Sequence, residues 1–184
     1  MKALQRIAAT RQWVDDVVIA HNFCPFARFV RHPEKIRYCV ASGDAGELLE
    51  SLYQECQLLD EYVDIATTLL ILDNAEVDTF DGFLDILSMA DRLLDDWGYR
   101  GIYQLASFHP DYQFEGESPD SPTHFTNRSP YPVLHLIREK DIERVLADFG
   151  DPEKIYRDNM QTTQEKGEQH FQTLLSACKH TRQD

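Results

Sequence analysis

Apolar residues Leu4, Ile7, Ala8, Val14 and Val18 recur at helical spacing among polar ones, which predicts an amphipathic helix over residues 3–21 that ends near Asn22. Pro25 then suits the first position of a second, short helix. Residues 35–41 alternate instead, with Ile36, Tyr38 and Val40 on one side and Arg37 and Cys39 on the other, the period of a strand. Asp44 followed by Glu47 resembles a capping box. It opens a helix to about residue 61, whose buried stripe is Leu48, Leu49, Leu52, Cys56 and Leu59. The unbroken run Thr67–Leu72 reads as a strand covered on both faces, the expected centre of a sheet.

Asp78 is the expected cap of a helix that turns Phe80, Phe83, Leu84, Leu87, Leu94 and Trp97 inward and stops at Gly98. Residues 101–109 and 132–138 read as the third and fourth strands. Between them, residues 110–131 lack periodicity and carry four prolines, so they form one long loop, and loops of that length are most often functional or disordered. A helix over 140–149 closes at Gly150, and Asp151-Pro152 opens a last helix that reaches Cys178, with Gly167 as its weak point. Strands alternating with helices predict an α/β fold, with α+β as the alternative. The expected form is a mixed four-stranded sheet with helices packed on it, the N- and C-terminal helices among them. Strand order does not follow from the pattern.

The chain has 184 residues, a length at which one domain over 1–184 can bury roughly 70% of its unfolded surface. No apolar stretch marks a leader or a membrane span, and four scattered cysteines without a C-x-x-C pair suit a reducing compartment; both point to the cytoplasm. The net charge of −14 argues against nucleic acid and anionic membranes as partners. Residues 41–97 hold 15 acids against one base, the pattern of solvated helix faces. Residues 21–40 invert the sign, with Arg28, Arg31, Lys35 and Arg37 against Glu34, and such an island would draw a small anion.

Three segments carry a resemblance: Asn22-Phe23-Cys24-Pro25-Phe26-Ala27, then Phe108-His109-Pro110 with Tyr112-Gln113-Phe114, and Thr126-Asn127-Arg128-Ser129-Pro130-Tyr131-Pro132 running into His135-Leu136-Ile137-Arg138-Glu139. Together they resemble the signature of a bacterial family, domain of unknown function 1415, over nearly the whole chain. The resemblance implies a bacterial cytosolic protein and brings no catalytic roles with it.

Chemistry therefore has to be read from the residues. Cys24, at the N-cap of a helix begun by Pro25 and followed by Arg28 and Arg31, would ionise easily and act as nucleophile or redox thiol; equally, it fits as a small core filler. If the third and fourth strands pair as an antiparallel hairpin, His109 lies beside Tyr131-Pro132 and near Asn127 and Arg128. His109 is then the candidate acid/base. Arg128 offers a fork to a carboxylate or phosphate with Asn127 beside it, and Arg31 and Arg138 complete the substrate-binding candidates. The same Asn-Arg-Ser-Pro also reads as a turn that ties down its own loop. His135, between Leu134 and Leu136, is a core histidine or a catalytic partner of His109, and strand register decides whether the two share a face.

His109, Asp111, His135 and Glu139 have the types of metal ligands but no metal-binding spacing, so no metal is expected. Phosphate-loop, dinucleotide and nucleophile-elbow motifs are absent, and no cofactor is expected. The C-terminal stripe of Ile155, Phe171, Leu174 and Leu175 leaves a homodimer open. Two readings compete: an enzyme of undefined reaction on a small anionic or polar substrate with a Cys/His site, and a non-catalytic anion-binding, regulatory or interaction module.

Overall fold

A computed structural model of the chain describes residues 2–149 and 152–180. Four strands, β1 (Ile36–Ser42), β2 (Thr67–Asp73), β3 (Tyr103–Phe108) and β4 (Val133–Arg138), form one sheet in the order β1-β2-β4-β3. β1 and β2 run parallel, joined over one face by α3 (Ala45–Glu61), whereas β4 is antiparallel to both β2 and β3. The fold is the expected α/β arrangement around a mixed four-stranded sheet. β2 is central because Leu69 to Leu72 are all buried, with helices on either side.

On one face, α3 and α4 (Phe80–Asp96) set Leu48, Leu52, Cys56, Phe83 and Ile86 against Leu70, Leu72, Leu134 and Leu136. On the other, α1 (Lys2–Trp13), its continuation through residues 14–19, and α7 (Glu168–Lys179) set Trp13, Val14, Val17 and Phe171 against Leu69, Ile71 and Val133. The acids of residues 41–97 mostly face water from α3 and α4, as in Glu50, Asp85 and Asp95. Glu55 is the exception. It is buried, takes a two-pronged pair of bonds from Arg37 at 2.7 and 3.0 Å, and accepts a third from Thr68. The capping box is present, Asp44 Oδ1 accepting from the Glu47 N–H at 3.0 Å and Glu47 Oε2 from the Asp44 N–H at 2.8 Å.

Three local expectations need correction. The first helix widens to π geometry over Val14–Ile19, the N–H groups of Ala20 and Phe23 reaching back five residues, and ends in a turn with Asn22 at φ 55°. Thr79 rather than Asp78 caps α4: its hydroxyl accepts from the Gly82 N–H, while Asp78 closes a short 3₁₀ turn, Glu76–Asp78. That turn packs so closely that a Cβ at Gly82 would lie 2.1 Å from the Glu76 carbonyl oxygen. The last helix divides at Gly167, whose φ of 77° few other residues adopt, into α6 (Pro152–Lys166) and α7. α2 (Ala27–Arg31) and α5 (Glu139–Phe149) complete the elements; Gly150 and Asp151, expected to separate α5 from α6, lie outside the described residues. Among the described residues no helix is long and apolar enough to cross a membrane.

Candidate functional site

A cavity of about 310 Å³ opens between the turn after the first helix, the outer strand β3, the 109–132 segment and α6. Val18 and Phe23, Ala106 and Phe108, Phe114, and Met160 give it an apolar lining. Polar groups are few: Cys24, Thr123, Thr126, Asn127, Tyr156 and Asn159. Asn127 and both threonines are already bonded, Asn127 Nδ2 to the Ser107 carbonyl at 3.1 Å and its Oδ1 to the Thr126 hydroxyl at 3.1 Å. Asn159 donates Nδ2 to the Phe23 carbonyl at 2.9 Å, and its Oδ1 accepts no hydrogen bond among the described residues.

Cys24 lines this cavity, but its environment reverses the expected ionisation. α2 starts at Ala27 with Phe26 as its N-cap, so Cys24 stands two positions upstream of the cap. The backbone N–H groups of Phe26 and Ala27 still point at its sulfur, yet burial outweighs them and pushes the thiol up. The flanking cations do not compensate. Arg28 is exposed, and Arg31 is spent on Asp15 through bonds of 2.8 and 2.9 Å, which removes Arg31 as a substrate ligand.

His109 does not line the cavity. It is fully buried, Nε2–H donating to the Val77 carbonyl at 3.0 Å and Nδ1 accepting the Asp111 N–H at 3.0 Å, between the rings of Phe80 and Phe83. With both nitrogens engaged and burial holding its pKa down, the ring locks the start of the long segment and has no atom left for proton transfer. β3 and β4 do pair antiparallel, but the register sets His135 opposite Ala106 and brings its ring to Phe108, whereas His109 packs on α4 across the sheet. His135 and His109 therefore lie on opposite faces and cannot cooperate. His135 Nε2 donates to the Thr67 hydroxyl at 2.7 Å, which in turn donates to the Leu136 carbonyl at 2.6 Å. Burial pushes its pKa down to about 4.

The remaining candidates divide. Arg138 is buried beneath α3 and donates to the carbonyls of Leu59 and Ile65 and to the Tyr103 hydroxyl, which is itself bonded to Asp60; it braces the fold and does not line this cavity. Arg128 lies over the Phe125 ring at 4.7 Å and donates Nε to the Tyr112 carbonyl at 3.2 Å, while its terminal amino groups bond no protein atom among the described residues. Among the described residues no three His, Cys, Asp or Glu side chains gather as a metal site, and the four conceivable ligands are dispersed.

Sequence reasoning missed two sets of residues. His124, fully buried, accepts the Phe114 N–H at Nδ1 and donates Nε2–H to the Ser118 carbonyl at 2.8 Å, giving the 110–131 segment its own order around a 3₁₀ turn, Pro122–Thr126. Tyr156, Asn159 and Met160 supply the cavity's α6 wall; on a mostly polar helix nothing in their spacing marked them. The apolar stripe of α7 packs within the chain, Phe171 buried and Leu174 and Leu175 beside it, so it offers no ready face to a second copy.

The fold and cavity define an α/β protein with a mixed sheet and a hollow walled by α6 beside its outer strand β3. The chain belongs to the protein family of unknown function DUF1415, whose model matches residues 5–173. No curated protein and no solved structure matches it.

Proposed function

We propose that this is a small-molecule-binding protein whose site is the Cys24 cavity. The observation that carries the reading is the hollow itself: about 310 Å³, largely apolar, with Asn159 Oδ1 an acceptor that no described residue occupies. Pockets of this size and lining bury most of a small ligand and orient it with few polar contacts. The ligand class is a compact, mainly apolar molecule carrying one hydrogen-bond donor. Binding is favoured over catalysis because Cys24 is held as a neutral thiol and the candidate base His109 lies across the sheet with both nitrogens spent. The four free cysteines fit a bacterial cytoplasm.

Indole and indene test this, being alike in shape while only indole offers an N–H. Backbone amide NMR at millimolar probe should show shifts at residues 23–24, 106–108, 123–127 and 156–160, larger for indole. Asn159→Leu should remove the preference. Shifts elsewhere, or none, would refute the reading.

A second reading, a small anion held at Arg128, is favoured by the terminal amino groups of that side chain, which bond no protein atom among the described residues. Phosphate titration of wild type against Arg128→Ala would separate it from the first.

A further inference from the structure

We propose that His21 and His170 form a proton-counting latch on the cavity, holding its wall closed while the pair shares one added proton or none and releasing it when both rings are charged. This regulation rests on the cavity being the ligand site.

The geometry starts at the end of the π turn. His21 Nδ1–H donates to the Val17 carbonyl at 3.0 Å, which fixes the tautomer and leaves Nε2 bare in the neutral ring. His170, near the start of α7, presents its own Nε2 at 2.9 Å, the rings meeting edge to face. With both rings neutral, His170 donates to His21. One added proton, taken at His170 Nδ1, keeps the bond, because the hydrogen between the two Nε2 atoms stays shared. Two added protons place N–H against N–H at hydrogen-bond distance, and like charges in a half-buried site must separate.

Among the described residues no carboxylate pairs with either ring to offset the second charge. Phe23 and Phe171 cover the His21 ring, and the charges acting on it are His170 and Lys166, at the end of α6. Carboxylates on the neighbouring elements are engaged elsewhere: Asp15 pairs with Arg31, Asp16 accepts from Gln12, and Glu168 is exposed and acts on Arg128. The latch reaches the cavity through one short stretch of chain. Two residues beyond His21, the Phe23 carbonyl accepts from Asn159, and Phe23, Cys24 and Asn159 all line the hollow. Separating His21 from His170 removes the polar tie between the turn and α7, leaving the Asn159 bond and the Phe23–Phe171 ring contact at 5.6 Å to hold the wall.

The test is peptide-resolved labelling of Cys24 by 4,4′-dithiodipyridine, each rate divided by that of N-acetylcysteine at the same pH. The wild-type ratio should rise about tenfold between pH 7.5 and 5, the change expected for one pH unit of proton-linked opening. His170→Gln should stay slow at both pH values, because its amide donates to neutral His21 and accepts from charged His21. His170→Ala should be fast at both. A flat wild type, or a His170→Gln that rises as wild type does, overturns the latch. If a variant fails to fold, side-chain ¹⁵N titration of the wild-type rings decides: two separated steps support the latch, and two coincident ordinary titrations overturn it. The indole experiment at pH 7.5, where the latch is closed, tests the cavity reading separately.

Discussion

Acidification should destabilise this protein through His135 in a way one substitution removes. The Thr67 hydroxyl spends its proton on the Leu136 carbonyl, so His135 Nε2 must carry the hydrogen of the bond between them. Charging the ring adds a proton at Nδ1, for which no protein acceptor exists among the described residues, beside the ring of Phe108. The unfolded chain takes that proton near pH 6.5 and the folded chain only near 4. Because the unfolded state binds the proton first, the contribution is complete above pH 6.5 and is lost as pH falls towards 4. At about 1.4 kcal/mol per pH unit the full loss is about 3.5 kcal/mol, and the ring's remaining accessible surface trims it towards 2.

His135→Leu keeps the Thr67–Leu136 bond and removes the titration. Urea unfolding of both proteins at pH 7, 5.5 and 4.5 isolates the effect, since carboxylates common to both cancel. The stability difference should move by about 2 kcal/mol in favour of the variant between pH 7 and 4.5. A difference that stays constant across that range would refute the argument that burial holds this imidazole neutral.

Other expectations are simpler to check. Asp44→Ala removes one half of the capping box on α3 and should lower stability by about 1 kcal/mol in urea unfolding, with no change in indole binding. Arg138→Met strands the Leu59 and Ile65 carbonyls and should cost about 3 kcal/mol, read as a lower thermal midpoint. Iodoacetamide labelling of Cys24 should still be accelerating above the pH at which an ordinary thiol levels off, because burial favours the neutral form; a plateau at or below that pH would mean the two N–H groups dominate.

Much of the architecture was legible in the sequence. Periodicity located every strand, the capping box on α3, the buried stripes of α3 and α7 and most of that of α4, where Leu84, expected inward, is exposed instead, because amphipathic spacing is imposed by burial on one face and is written residue by residue. Thr67–Leu72 declared its central place by being apolar on both sides. Asn127, Arg128 and Cys24 could be picked out because a long aperiodic segment and a Cys-Pro turn are local features.

What function needs was decided by partners far apart in the chain. Insertion of β4 between β2 and β3, with Ala106 opposite His135, put the two candidate histidines on different faces, and one residue of slip would have reversed it. Arg31 and Arg138 looked available in sequence and are consumed by Asp15 and by the carbonyls at the end of α3. The thiol's ionisation turned on how deeply its turn is buried, and the cavity on a wall from α6, more than a hundred residues away from Cys24. Local pattern determines which segments form and which face they bury. Desolvation, ion pairing and enclosure are properties of the space between segments, and only the folded chain sets them.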